Sequence, residues 1–297
     1  MNDNTPRRVE HQQTDKGYVP VYTTGIVEQQ WDNYTATEHS TWATLFKRQW
    51  ELLQDRACPE FLEGVQTLGM TPDKIPRFAD LNKQLREATD WKLVAVEGLL
   101  PELVFFDHLA KRRFPVTWWI RRPDQLDYIA EPDLFHDLLG HVPLLMNPVF
   151  ADYMQHYGLG GVKASGVGDQ ALVQLSRLYW YTVEFGLIRS KAGLRIYGSG
   201  ILSSSGESIY SLDSAAPNRF GFDLERIMRT RYRIDTFQKS YFVIDSFEQL
   251  FESTVPDFRP IYAGIKDQPE FAAGEVLDSD NVIQRGNGEG WTATEDY

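Results

Sequence analysis

The 297-residue chain carries a formal net charge of −12, six histidines and a single cysteine. The acidic balance argues against nucleic acid or an anionic membrane as a partner, and the lone Cys58 forbids an internal disulfide and suits a reducing compartment. The first thirty residues lack the apolar core of a signal peptide and no later run approaches the length of a membrane span, so a cytoplasmic protein is expected.

Residues 1–35 show no periodicity and read as an N-terminal arm on the surface. From Ala36 to Gln54 the apolar positions Trp42, Leu45, Phe46, Trp50 and Leu53 recur at helical spacing. Further helices are predicted over Pro59–Leu68 and Arg77–Thr89, then a short strand, Trp91–Val96, ended by Gly98. Leu103–Arg112 reads as helix and Val116–Arg121 as β-prone. A helix from Pro148 to Tyr157 is expected to stop at a glycine-rich turn (Gly158, Gly160, Gly161). Gly168–Ile188 is apolar almost all round and belongs in a core. Arg195–Tyr197 and Ser208–Leu212 are β-prone, with a serine cluster, Ser203 to Ser205, between them. Phe222–Arg231 reads as helix, Tyr241–Ile244 as strand and Ser246–Ser253 as a last short helix. Beyond Lys266 the chain turns acidic and Gly-rich, so 266–297 is expected to be a loosely attached tail. Inside 36–265 there is no repeat and no Pro- or Gly-rich linker. That block is expected to form one domain, mostly α with a small β component.

The segment Glu131-Pro132-Asp133-Leu134-Phe135-His136-Asp137-Leu138-Leu139-Gly140-His141-Val142-Pro143 holds two of the six histidines. Pro132 suits the first helical position and Asp133 places negative charge at the positive end of the dipole. On an ideal helix, residues five apart differ by roughly 140°, so His136 and His141 would not share a face. Pro143 crowds the carbonyl of Leu139, and with Gly140 it predicts a distorted or ending helix near the second histidine. Both imidazoles then converge on one point, which suggests a metal, histidine being the commonest metal ligand. Two core histidines bonded to carbonyls are the alternative. The spacing is not that of the zincin motif.

Glu184 stands in the most apolar helix, where a carboxylate must be paired, richly hydrogen-bonded or metal-bound. Pairing with Arg177, two turns away, competes with coordination beside the two histidines. Two histidines and one carboxylate leave coordination positions open. Non-haem Fe(II) oxygenases and catalytic zinc sites share that set, and ligand type alone does not separate them. A zinc hydrolase would also need a base near the metal water, for which Asp137 is the candidate. A non-enzymatic helical module with a structural metal is disfavoured by the open sphere. The aromatic residues Phe135, Tyr179, Trp180, Tyr181 and Phe185 flank the three ligands, as a pocket for flat molecules or a packed core would require.

The runs EPDLFHDLLGHVPLL, LYWYTVEFGL and IYGSGILSSSGE, in that order, resemble the pterin-dependent aromatic amino acid hydroxylases, and within them the bacterial phenylalanine 4-hydroxylases. The resemblance covers roughly Trp42 to Ile261. It implies a mostly helical catalytic domain in which His136, His141 and Glu184 bind Fe(II). It also implies hydroxylation of L-phenylalanine to L-tyrosine with O2 and a reduced pterin, a tetrahydropterin such as tetrahydrobiopterin. By the same resemblance the pterin meets Gly98, Leu100 and Phe105, with Asp137 and Tyr179 on that side. The substrate carboxylate meets Arg121, and its ring packs near Pro132, Trp180 and Phe185, with Gly200, Ser203 and Ser204 nearby. Ser203 is expected to hydrogen-bond a ligand histidine.

This chain departs from the animal enzymes at Ile129, where they have a threonine, at Pro115, where they have a histidine, and at Asp137, which replaces a glutamate. Val243 stands where tyrosine-specific relatives carry an acidic residue, which favours phenylalanine. With little sequence ahead of the resembling block and no heptad-patterned helix after it, an unregulated monomer is expected.

Overall fold

The computed structural model describes residues 11–14, 17–20, 25–127, 129 and 131–291. A hairpin of β1 (His11–Thr14) and β2 (Gly17–Pro20) precedes β3 (Ile26–Val27); the helices α1 (Ala36–Leu53), α2 (Pro59–Thr67) and α3 (Phe78–Thr89) follow. Local chemistry sets the helix ends. Thr35 Oγ1 accepts from the Glu38 amide at 3.2 Å while the Glu38 carboxylate accepts from the Thr35 amide at 2.7 Å, so two orphan donors are satisfied reciprocally. Pro59 opens α2, where its missing N–H costs nothing.

Next come β4 (Lys92–Val96), α4 (Glu102–Ala110) and β5 (Arg113–Thr117), a βαβ unit in which Lys92 to Val96 run parallel to Arg113 to Thr117 and β3 flanks β4 antiparallel. The central helices α5 (Pro148–Ser165) and α6 (Asp169–Tyr179) lead into β6 (Leu187–Ser190), β7 (Gly193–Ile196), α7 (Ser199–Leu202) and α8 (Ser205–Asp213). The chain closes with β8 (Asn218–Gly221), α9 (Leu224–Met228), β9 (Ser240–Ile244), α10 (Phe247–Glu252), α11 (Arg259–Ile265) and β10 (Val282–Gln284). The second sheet has the order β10-β8-β9-β6-β7, parallel across β8, β9 and β6, with antiparallel strands at both edges. At 49% helix and 13% strand the fold is mostly α with a small β component, as expected. One core joins Trp42, Phe61, Leu138, Leu178 and Tyr241 across these layers, each such side chain contributing about 1.5–3 kcal/mol by burial.

Several local expectations are corrected. The glycines at 158, 160 and 161 do not end a helix; α5 runs through them to Ser165. A Cβ at 158 would strike Leu109 and Ala110, and one at 161 would strike the Phe106 ring, so these glycines let α4 press against α5. Ser208–Leu212 is helical within α8, which Ser204 caps by accepting from the Glu207 amide at 3.3 Å. The helix expected over Phe222–Arg231 shrinks to α9, and the strand β8 before it carried no signal of its own. The apolar helix predicted to Ile188 ends as a regular helix at Tyr179, and Val173 on it is exposed.

The expected loose tail is also corrected where it is described, and the described part of the N-terminal arm is tied down by hydrogen bonds. Gln29 donates to Pro76 O at 3.1 Å and accepts from the Phe78 amide at 2.8 Å, and Trp31 Nε1 donates to Ile75 O at 2.7 Å. Residues 1–10, 15–16 and 21–24 lie outside the described residues. In the tail, β10 pairs with β8, the Phe271 amide donates to Arg229 O at 2.8 Å, and buried Asp280 pairs with Arg226 at 2.8 Å. Polar composition suggested looseness, but backbone pairing and one buried ion pair hold these residues.

Candidate active site

Two π-helical turns build the site, His136–His141 and Trp180–Glu184. A π turn closes i to i+5 and carries an extra residue per turn, so side chains five apart swing toward one side. This is the form the expected distortion near His141 takes, and it brings the histidines together without ending the helix. The helical backbone continues through Val142 into a 3-10 turn, Pro143–Met146, with Pro143 at its start. Pro132 lies ahead of the helix; Asp133 is the cap, its Oδ1 accepting from the His136 amide at 3.0 Å. Gly140 allows close approach to α7, since a Cβ there would sit 2.8 Å from Ser199 O.

The three predicted ligands converge. His136 Nε2 and His141 Nε2 lie 3.2 Å apart, His141 Nε2 is 3.2 Å from Glu184 Oε1, and His136 Nε2 is 3.7 Å from Glu184 Oε2. Arg177 does not neutralise Glu184; it pairs with Glu270 at 2.9 Å. Ser203 Oγ lies 2.8 Å from His136 Nδ1 and 2.8 Å from Ser199 O, a pure acceptor. Its one proton therefore goes to Ser199 O, and Nδ1–H of His136 donates to Ser203. That fixes the tautomer and leaves the Nε2 lone pair facing the other two ligands.

Electrostatics agree with a metal cradle. Burial pushes the His136 imidazole down to about 4, against the lift from the Glu184 carboxylate, so the ring is neutral at physiological pH. For Glu184, burial pushes upward, but the contacts with His141, His136 and Ser199 outweigh it and hold the carboxyl at about 2. Two nitrogens and an ionised carboxylate crowded within 4 Å suit a divalent cation with open positions. Asp137 also lies within 4.8 Å of the imidazoles. Its Oδ2 accepts from the Thr117 amide at 2.7 Å, and burial lifts its carboxyl to about 7, which makes it a poorer ligand than Glu184.

The three side chains open into a cavity of about 860 Å³, ample for a flat bicyclic molecule beside an amino acid. It brings together Leu100, Phe105, Asp137, Tyr179, Arg121, Pro132, Trp180, Phe185, Gly200, Ser203 and Ser204 with the ligands. Gly98 is not in the lining, where Leu99 and Leu100 stand for that loop. Phe105 and Tyr179 meet edge to face at 5.6 Å on one wall, and Trp180 and Phe185 lie 4.8 Å apart on another. Gly200 has no room for a side chain, since a Cβ would come 2.8 Å from the Phe185 ring. Arg121 and Asp133 are both buried and joined by Nε–Oδ2 at 2.8 Å and Nη2–Oδ1 at 2.9 Å. Burial pushes the Asp133 carboxyl up, but the guanidinium outweighs it and holds the acid below its usual range. Among the described residues the Nη1 end of the fork has only Leu126 O, at 3.5 Å. Val243 is buried on β9 and does not line the cavity. Among the lining residues that sequence reasoning missed are Arg48, Phe114, Tyr157, Glu207, Tyr232 and the segment 234–238. No local pattern marks them; Glu207 alone, an acid inside the IYGSGILSSSGE block, carried a usable signal.

A profile of the biopterin-dependent aromatic amino acid hydroxylases matches residues 20–262. The phenylalanine-4-hydroxylase of Ralstonia nicotianae is 64% identical over 270 residues, 91% of this chain and 86% of that protein. Two crystal structures of the Chromobacterium violaceum phenylalanine hydroxylase are similar in fold. One, with iron(III) and 7,8-dihydrobiopterin bound, gives a TM-score of 0.84 at 61% identity over 88% of this chain and 93% of that one. The other, with iron and phenylalanine bound, gives 0.83 at 60% identity over 88% and 94%.

Proposed function

This chain belongs to the biopterin-dependent aromatic amino acid hydroxylases, and on that premise we propose that it is a phenylalanine 4-monooxygenase, converting L-phenylalanine to L-tyrosine with O2 and a tetrahydropterin at a mononuclear Fe(II) centre. The observation that carries the reading is the convergence of His136, His141 and Glu184 beneath an aromatic-walled cavity. When bound, the iron and the reduced pterin together supply the activation of O2 and the two electrons the hydroxylation needs.

The chain's own residues bind, orient and exclude. His136 and His141 offer ring nitrogens and Glu184 a charge that partly offsets the cation's. Ser203 holds His136 in the tautomer that coordinates. Asp133 takes the side of the Arg121 guanidinium, so the outer Nη1 and Nη2 hydrogens remain as a fork for the substrate's carboxylate. Pro132, Trp180, Phe185 and Gly200 form the slot for the substrate ring, with Ser204 at its edge. On another wall Phe105 gives the pterin a stacking face, and Leu99 and Leu100 of the Gly98–Leu100 loop, Tyr179 and Asp137 bound it. The aromatic walls keep water from the reacting centre.

We further take the enzyme to act as a cytoplasmic monomer. A single, buried cysteine supports the reducing compartment, and light scattering measures the mass in solution. The deciding experiment is tyrosine formation from phenylalanine with Fe(II), O2 and a tetrahydropterin. Turnover without oxygen by zinc-loaded protein would refute the assignment.

A further inference from the structure

Trp180 is held on three sides. Its indole stacks on Tyr232 at 4.3 Å and 19°, faces Phe185 at 4.8 Å and 36°, and donates Nε1–H to Gln238 Oε1 at 3.0 Å. Gln238 is itself immobilised. At 1% exposure, its Nε2 donates to Arg233 O at 2.7 Å, and its backbone amide donates to Glu207 Oε1 at 3.1 Å. The amide orientation is unambiguous, because an indole can only donate and a carbonyl can only accept. Glu207, on α8 and 4% exposed, also accepts from the Tyr241 hydroxyl on β9. A buried carboxylate is costly to keep, yet among the described residues this one bonds to neither His136, His141 or Glu184 nor a cation. What it does hold is residue 238, at the end of a segment without regular structure that lines the cavity.

We propose that Gln238, anchored from behind by Glu207, is a positioning residue that fixes the Trp180 indole within its plane and so where its edge stands in the slot for the substrate ring. The inference rests on the hydroxylase reading above. The stacking partners restrain the indole face to face but leave it free to slide and turn in its plane. Only the edge-on hydrogen bond removes that freedom. A ring that sits askew meets the oxidant badly, so pterin is consumed without tyrosine being formed.

Gln238→Leu keeps the volume and removes the acceptor. The expected result is a KM for phenylalanine raised by about tenfold, the worth of roughly one net hydrogen bond, and a fall in tyrosine formed per pterin oxidised. Iron content and the rate of pterin oxidation stay within twofold of the wild type. In a Trp180→Phe background, which has no Nε1–H to position, adding Gln238→Leu changes neither KM nor coupling further. Should Gln238→Leu fail to fold, benzothienylalanine at position 180 replaces N–H by sulfur in the same shape and must give the same loss of coupling. Unaltered KM and coupling in Gln238→Leu, or equal effects in both backgrounds, overturn the inference while the hydroxylase reading stands. A wild-type protein that forms no tyrosine overturns both.

Discussion

Replacing Ser203 by alanine isolates the one hydrogen bond that orients His136. In the native protein Ser203 Oγ accepts from Nδ1–H at 2.8 Å and donates its own O–H to Ser199 O at 2.8 Å. Ser199 O also accepts from the Ser203 amide at 3.0 Å, so the backbone side of the pair survives the change. The damage is local to the imidazole. A buried Nδ1–H without an acceptor costs about 1–3 kcal/mol. The ring escapes that cost only by rotating or by moving the proton to Nε2, and either move removes the lone pair the metal needs. Outer-shell changes of this kind lower metal affinity about 10–100-fold, or roughly 1.4–2.7 kcal/mol. Titration of Fe(II) or Co(II) against a competing chelator reads the affinity directly. Ser203→Thr, which keeps the hydroxyl, should recover most of the loss. An alanine variant that binds metal within twofold of the native protein would refute the argument that Ser203 fixes the tautomer.

Other outcomes follow from the same geometry. Glu184→Gln removes the charge but keeps an acceptor for Ser199, so the fold should survive while metal affinity falls by more than the roughly 100-fold upper end of an outer-shell change and turnover is lost; full activity would take Glu184 out of the site. Gly161→Ala drives a Cβ into the Phe106 ring and should destabilise by about 1–3 kcal/mol, seen as a melting temperature several degrees lower, whereas an unchanged melting curve would contradict the close packing of α4 on α5. Burial lifts the Glu207 carboxyl from 4.5 to about 7, against the Tyr241 and Gln238 donors that lower it. The folded protein therefore holds this proton more tightly than the unfolded chain. The stability it contributes is complete below about pH 4.5 and is lost as pH rises through about 7. Glu207→Gln should flatten that decline, by at most roughly 3 kcal/mol, in urea unfolding measured from about pH 5 to pH 8; parallel slopes for variant and native protein would dismiss the effect.

The donor atoms of the site could be read from the amino-acid order. A carboxylate in an apolar run and two histidines beside Gly140 and Pro143 are costly choices that few roles other than metal binding explain, and the three blocks around them are specific to a family. The helices α1 to α3 and the strands β4 and β9 were legible for a related reason: caps, prolines and apolar spacing act within a few residues of one another. That the helix distorts near His141 so that the histidines meet was legible, but the form of the distortion was not, because a π turn adds one residue to a period of 3.6 and leaves no distinct pattern. The glycines of α5 look like a turn until Leu109 and Phe106 are packed against them. The tail looks loose until Asp280 finds Arg226, 54 positions away. Ser203 reaches His136 across 67 residues and Gln238 reaches Trp180 across 58, and the resemblance anticipated only the first of these contacts. Short-range signals decide which segments are helix or strand and which side chains are too costly to bury without purpose. The cavity's walls come from chain segments far apart in sequence, so only the packed fold decides which residues stand around the ligands and in what orientation.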